Sequence, residues 1–102
     1  MTINIGKKFG KFLVDRESGK SAYDFFKYQI ESMKKNEKIN CYFDDVLVLN
    51  PSFCDEVFGQ LEQDFPEKII LDKNMKYSMK VAFETVEETR GIKFNYSEMK
   101  KE

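Results

Sequence analysis

Apolar residues recur every three or four positions in three segments of the chain, and this spacing places side chains on one face of an α-helix. The first segment predicts a helix over residues 21–35, with apolar positions at Ala22, Phe25, Phe26, Ile30 and Met33. The last predicts a helix that ends at Gly91, because glycine readily takes the left-handed backbone that stops a helix. Its apolar positions are Met79, Ala82, Phe83 and Val86, and Arg90 lies in its last turn.

The helix between these two has the clearest start signal in the chain, the dipeptide Asn50-Pro51. Asparagine is a favoured N-cap, and proline is favoured at the first helical position because its missing N–H had no partner there. Pro66 is expected to close this helix. Its inward face is expected to hold Phe53 or Cys54, Val57, Phe58, Leu61 and Phe65.

Short apolar runs between the helical segments predict strands. They lie at residues 2–5, 11–14, 39–43, 46–49, 68–71 and 92–96. The first two are separated by Gly6 and Gly10, which predicts an N-terminal hairpin. The four consecutive aliphatic residues of 46–49 predict a strand buried on both faces. Whether that strand continues 39–43 or is separate stays open.

This alternation of strands and helices predicts an α/β fold, in which about three helices cover a central mixed sheet of about four or five strands. A chain of 102 residues is long enough for one hydrophobic core and short for two. We therefore expect a single domain over residues 1–102, with the charged tail 97–102 frayed.

Composition narrows the class of protein further. The chain is 41% hydrophobic and 34% charged, too apolar for a disordered segment and too charged for a membrane protein. A net charge of −1 gives no overall positive field, which disfavours general binding to nucleic acid or to a membrane surface. Since no apolar run approaches the length of a membrane span or a signal peptide, we expect a cytoplasmic protein.

Enzyme chemistry finds little support. The chain has no histidine, which removes catalytic triads and most zinc sites, and it has no phosphate-binding glycine loop. Cys41 and Cys54 are expected to be free core residues. We expect no enzyme activity, no metal and no cofactor. An enzymatic alternative would need a pocket with convergent polar groups, for which Tyr42, Asp44 and Asp45 are the nearest candidates.

Ser52 has the most distinctive position among the polar residues. It follows an aliphatic run and is expected to be the second residue of the helix that begins at Asn50-Pro51. Free backbone N–H groups and the positive end of the helix dipole meet there, so a phosphate on this hydroxyl would be favoured. Serine near a helix start is also common as a simple capping residue. Asp55 and Glu56 are expected on the exposed side of the same first turn.

Three sequence blocks resemble a known family. They are Arg16-Glu17-Ser18-Gly19, then Phe43, Val46, Val48 and Leu49, and then Ser52-Phe53-Cys54-Asp55-Glu56-Val57-Phe58-Gly59. Together they are similar to the STAS-like family of small bacterial domains, relatives of the anti-sigma factor antagonists.

The resemblance implies a regulatory module that binds another protein. In the anti-sigma factor antagonists, a serine at the position of Ser52 is phosphorylated by a cognate kinase, so Ser52 is the candidate phosphoacceptor. The implied partner is a histidine-kinase-type ATPase or an anti-sigma-like protein. The residues expected to bind it are Asn50, Pro51, Ser52, Asp55 and Glu56.

A second interpretation needs no phosphorylation. The chain could be an adaptor, or an inhibitor encoded by a mobile element, that binds a host protein through an aromatic surface. Ten phenylalanines and five tyrosines are more than a small core comfortably buries, and exposed aromatic side chains are preferred interface anchors. The sequence leaves the partner and the oligomeric state open.

Overall fold

The computed structural model describes residues 1–99, and its strands form two parallel sheets. The strands are β1 (Thr2–Asn4), β2 (Phe12–Leu13), β3 (Ile39–Tyr42), β4 (Val48–Leu49), β5 (Ile69–Asp72) and β6 (Asn95–Ser97). The main sheet has the spatial order β1-β3-β5-β6, and β2 pairs with β4 in a separate two-stranded ribbon.

The helices pack against these strands. They are α1 (Ile5–Phe9), α2 (Arg16–Glu31), α3 (Pro51–Cys54), α4 (Gln60–Asp64) and α5 (Tyr77–Arg90). A π-helical segment, Asp55–Gly59, joins α3 to α4, so residues 51–64 form one continuous helix, called the middle helix below. The predicted α/β class is confirmed, with a four-stranded sheet and long helices packed on it.

The predicted N-terminal hairpin is wrong. β1 pairs with β3, β2 pairs with β4, and the short helix α1 separates the two strands. Asn4 caps α1, because its side chain accepts a hydrogen bond from the N–H of Lys7 at 3.1 Å. Every strand pairing that the structure describes in residues 1–99 is parallel, so the antiparallel part of the expected mixed sheet is not seen there.

The core lies on one side of the main sheet. The strands are added in one direction, and right-handed crossovers then place the helices on the same face. Burial agrees with this geometry: the row Ile3, Cys41 and Leu71 is buried, whereas the neighbouring residues Asn40 and Ile70 are only half-buried. Four phenylalanines that are almost fully buried form the centre of this core: Phe26, Phe53, Phe58 and Phe83.

Helix ends follow local capping signals. Helix α2 begins at Arg16, five residues before the predicted start, because the Asp15 side chain accepts the N–H of Ser18 at 2.6 Å. The middle helix begins at Pro51 as predicted, with Asn50 as its N-cap. Gly91 ends α5 with a left-handed φ of 67°, also as predicted.

The expectation that 46–49 is buried on both faces is wrong. Leu47 and Val48 remain 48% and 44% exposed, because β4 belongs to the small ribbon and not to the covered main sheet. Cys41 and Cys54 are free and buried, as expected. Of the predicted frayed tail, Ser97 ends β6, and 100–102 lie outside the described residues. Among residues 1–99, no helix is long and apolar enough to cross a membrane.

Candidate functional site

Ser52 lies in a groove where three helices meet. It is the second residue of the middle helix and is half-buried. A surface cavity of about 170 Å³ adjoins it, lined by Arg16, Pro51, Ser52, Asp55, Thr85, Val86 and Thr89. We call this cavity the Ser52 groove. The hydroxyl is therefore neither sealed in the core nor fully exposed.

The first turn of the middle helix offers fewer free amides than expected. Pro51 has no N–H, the Asn50 side chain accepts the N–H of Phe53 at 3.0 Å, and the Asn50 carbonyl accepts the N–H of Cys54 at 3.2 Å. Within residues 1–99, the Ser52 N–H is the one amide of this turn that has no protein acceptor. The expected cluster of free N–H groups is therefore wrong, and the backbone of this turn offers an anion a single amide.

Asn50 and Pro51 have different roles. Both polar atoms of the Asn50 side chain form hydrogen bonds: Oδ1 accepts from Phe53, and Nδ2 donates to the carbonyl of Val14 at 2.7 Å. That bond joins the end of the ribbon to the start of the middle helix. Pro51 is exposed beside Ser52. Asn50 therefore holds the turn in place, and Pro51 is accessible to a partner.

Asp55 lies between two arginines. Its Oδ1 is 2.6 Å from Nε of Arg90, and its Oδ2 is 3.5 Å from a guanidinium nitrogen of Arg16. The same Arg16 nitrogen is 3.1 Å from Oε2 of Glu56. The hydrogen bond from Arg90 is the main reason that the pKa of Asp55 is lowered, and Arg16 adds to it against the effect of burial.

The two carboxylates are thus less exposed than expected. The side chains of Asp55 and Glu56 are 25% and 23% exposed, and both are ion-paired. Both side chains reach the surface, as expected, but α2 and α5 pack close enough to bring an arginine to each carboxylate. Any negative potential at this surface is largely neutralised unless Arg16 moves.

Two glycines allow this close approach. A Cβ atom at Gly59 would lie 2.8 Å from Nε of Arg90 and 2.8 Å from a methyl group of Val86. At Gly19, a Cβ would lie 3.0 Å from Cβ of Glu56. Gly19 of the Arg16-x-x-Gly19 block therefore lets α2 pack closely against the π-helical segment, and Gly59 does the same for α5.

Sequence reasoning missed the role of Arg90 at this site. It was placed in the last turn of a helix, where a basic residue is normally interpreted as a partner of the helix dipole. In the structure its guanidinium contacts Asp55, lies 3.3 Å from Oε1 of Gln60, and also donates to Gln63. No local pattern links positions 55 and 90, because the contact depends on how α5 packs.

An exposed apolar surface begins next to the Ser52 groove. Its members are Phe12, Val14, Leu47 and Val48, with exposures of 64%, 43%, 48% and 44%. We call them the ribbon patch. Phe12 pairs directly with Val48 across β2 and β4. Both strands run directly into the helices that line the groove, at Arg16 and at Pro51, so the patch and the groove adjoin.

The aromatic residues are mostly internal. Of the ten phenylalanines, Phe12 alone is exposed, and the others are buried or half-buried. The core thus holds more phenylalanine than its size suggested, because the rings pack edge-on or tilted against one another, as Phe58 and Phe83 do at 5.5 Å. Tyr28 and Tyr77 are exposed on separate helices.

The site offers no assembled metal centre. Within the part of the chain that the structure describes, no three or more histidine, cysteine, aspartate and glutamate side chains form a group that could hold a metal ion. Burial raises the pKa of both thiols, at Cys41 and at Cys54, so neither is a reactive thiolate at neutral pH.

The comparison with protein families agrees with this architecture. A family model described as "STAS-like domain of unknown function (DUF4325)" matches residues 21–78, more than half of the chain. The chain belongs to this STAS-like family. The match includes Ser52 and Gly59 of the STAS-like domain, but it begins after Arg16 and ends before Arg90. No curated protein and no solved structure matches the chain.

Proposed function

We propose that this STAS-like domain is a non-catalytic regulatory module that binds a partner protein through the Ser52 groove and the ribbon patch. The proposed partner is a histidine-kinase-type ATPase or an anti-sigma-like protein. One observation carries the proposal: a half-buried serine lies in a groove lined by ion-paired side chains, and an exposed apolar patch adjoins that groove. An apolar centre with a polar rim is the usual composition of a protein interface.

The two parts of the surface would act differently. The ribbon patch provides apolar area that is removed from water when a partner binds, with Phe12 as the aromatic anchor. Pro51, Ser52 and the 57%-exposed Arg16 provide the polar contacts that set orientation. Asn50 and Asp55 contribute indirectly, because their side chains hold the groove in shape.

Phosphorylation of Ser52 is the proposed switch, and Arg16 is the residue that would respond. Arg16 lines the same groove, and Asp55 keeps Arg90 as a partner if Arg16 leaves it. A phosphate on Ser52 would draw Arg16 towards itself and leave Glu56 without its arginine. The surface would gain negative charge and repel an acidic partner, an effect on the order of 1 to 3 kcal/mol.

The kinase part of the proposal is tested by incubating the protein with ATP and a purified histidine-kinase-type ATPase. Intact mass measurement should show one added phosphate on the wild-type protein and none on Ser52→Ala. If the wild-type protein gains no phosphate, the kinase switch is excluded for that ATPase. Docking does not depend on phosphorylation and has a separate test.

Docking is tested by one substitution in the ribbon patch and one outside it. Val48→Glu should weaken binding to the partner at least about tenfold, because it places an unpaired charge in the apolar centre. Tyr28→Glu is the matched control: Tyr28 is 69% exposed but lies near the far end of α2. Equal affinity of Val48→Glu and wild type would exclude docking through the patch.

An adaptor that is never phosphorylated remains the second candidate, because Phe12 is exposed independently of Ser52. In that case Ser52→Ala and a protein carrying phosphoserine at position 52 should bind the partner with equal affinity. A difference between them favours the switch.

A further inference from the structure

The start of α5 carries a group of lysines around an exposed tyrosine. Lys73, Lys76 and Lys80 are exposed, and Tyr77 is 79% exposed, the largest value among the exposed hydrophobic side chains of residues 1–99. Residues 73–83 contain no acidic side chain. We call Lys73, Lys76, Tyr77 and Lys80 the lysine–tyrosine face.

The positive charges of this face lie at the helix end where they are least favourable. The N-terminal end of a helix is positive, so acidic residues stabilise it and basic residues do not. The first turn of α5 has no acidic residue, and its N-cap, Lys76, makes no capping hydrogen bond with its side chain. By contrast, α2 begins with the cap Asp15 and has Glu17 in its first turn. Such local departures from stable helix design are expected at functional surfaces.

The three lysines form no salt bridge with another residue of the described chain. The salt bridges found within residues 1–99 involve Arg16 and Arg90, and none involves Lys73, Lys76 or Lys80. The face therefore places three positive charges at the positive end of a helix dipole, and the nearest carboxylates on α5, Glu84 and Glu87, come at least one turn later. An anionic partner would be attracted by both the lysines and the helix dipole.

A surface cavity of about 350 Å³ adjoins the face. It is lined by Lys73, Met75, Lys80, Glu84, Glu87 and Tyr96. Met75 and Tyr96 give it an apolar wall, since Met75 is buried and Tyr96 packs against the core. Glu87 is already engaged, because its Oε2 accepts the N–H of Phe94 at 2.9 Å. The cavity lining thus combines apolar side chains with two lysines and two glutamates.

We propose that the lysine–tyrosine face binds an acidic segment of a partner protein. Carboxylates of that segment would pair with Lys73, Lys76 and Lys80, while an apolar side chain enters the cavity and Tyr77 packs beside it. This surface is separate from the one in the proposed function. Thr85 and Thr89 line the Ser52 groove, whereas Lys80 and Glu87 line this cavity on the opposite flank of α5.

The charges favour a protein segment over a nucleic acid. The positive region is short, and α5 continues into Glu84, Glu87 and Glu88. A phosphate backbone that extended along the helix would meet these carboxylates, and the whole chain has a net charge of −1. A short acidic segment can pair with the lysines at the start of α5 without extending along the helix to Glu88, and inside the cavity only its apolar side chain would lie near Glu84 and Glu87.

The test uses a fluorescently labelled peptide of alternating glutamate and phenylalanine, with a glutamine–phenylalanine peptide of the same length as control. The glutamate peptide should bind the full chain, and the glutamine peptide should bind at least about fivefold more weakly, since the charge pairs are lost. Lys73→Glu/Lys80→Glu should weaken binding of the glutamate peptide by a similar factor or more. Tyr77→Ser should also weaken it while leaving the charges unchanged.

A matched variant separates the face from general electrostatics. Lys34→Glu/Lys35→Glu makes the same change in net charge on exposed residues after α2 and should leave peptide binding unchanged. Three results would overturn the proposal: no binding of the glutamate peptide, equal weakening by the two double variants, or tighter binding of a single-stranded oligonucleotide that the Lys73→Glu/Lys80→Glu variant abolishes. Because these variants leave the Ser52 groove intact, none of these results bears on the proposed function.

Discussion

Nε of Arg90 lies 2.6 Å from Oδ1 of Asp55, so the last turn of α5 is tied to the start of the π-helical segment. The two side chains are 17% and 25% exposed, whereas Arg16, the other partner of Asp55, is 57% exposed. Asp55 therefore makes one contact sheltered from solvent, with Arg90, and one exposed contact, with Arg16. The Arg90 contact holds the groove together, whereas Arg16 can leave Asp55 and pair with another group.

Removing the sheltered arginine should cost more stability than removing the exposed one. We expect Arg90→Leu to lower the free energy of unfolding by about 1 to 3 kcal/mol, because it leaves a partly buried carboxylate without its main partner. Arg16→Leu should lower it by less than about 1 kcal/mol, since exposed ion pairs are screened by water. Urea denaturation of both variants measures the difference. Equal losses would contradict the distinction between the two contacts.

The stabilisation by Asp55 should depend on pH in one direction. Because the pKa of Asp55 is lowered in the folded protein, its contribution is present above the ordinary aspartate value of 3.8 and is lost as the pH falls through the folded value. The unfolding free energies of wild type and Asp55→Asn should therefore differ most at neutral pH and converge in acid. Denaturation series at several pH values check this. A difference that stays constant into strong acid would show that the Asp55 charge does not carry the effect.

Gly59→Ala should destabilise the protein although alanine normally favours a helix. The added Cβ would lie 2.8 Å from both Nε of Arg90 and a methyl group of Val86, and overpacking of this kind costs about 1 to 3 kcal/mol. In an Arg90→Ala background the cost should fall, while the contact with Val86 keeps it above zero. Thermal or urea unfolding of the four proteins gives the coupling. A Gly59→Ala variant as stable as wild type would contradict the close packing.

Arg16 should respond to a phosphate on Ser52. When phosphoserine is introduced at position 52 during synthesis, the phosphate should titrate below its usual pKa of about 6, because a nearby guanidinium favours the dianion. In Arg16→Gln the phosphate pKa should return towards the usual value. Phosphorus NMR titration measures both. The same phosphate pKa in the two proteins would show that Arg16 does not reach the phosphate.

Lys76→Asp should make the protein more stable and less able to bind acidic peptide. Aspartate provides the missing N-cap of α5 and suits the positive helix end, which together stabilise a helix by about 1 kcal/mol or more. Urea denaturation and the peptide assay measure the two effects. A loss of stability would show that Lys76 supports the fold and that its position is not a departure retained for binding.

Local signals in the chain were enough to locate most of the elements. Asn50-Pro51 starts the middle helix, Gly91 ends α5, and the apolar spacing identifies the buried faces of both. These features depend on residues within a few positions of one another, where side-chain period and capping act directly. Ser52 was placed correctly at the second helical position for the same reason.

The partners of each strand and each charge could not be obtained in this way. Gly6 and Gly10 pointed to a hairpin, yet β1 and β2 join different sheets, since pairing depends on which strands the helices bring together. The state of Asp55 depends on Arg90, which is 35 positions away along the chain. Residue order along the chain therefore determined the three long helices, their core faces and the position of Ser52, but not the short helix α1. Only the packing of α2 and α5 on the middle helix decided which charges are paired, because long-range contacts form between surfaces that no local pattern specifies.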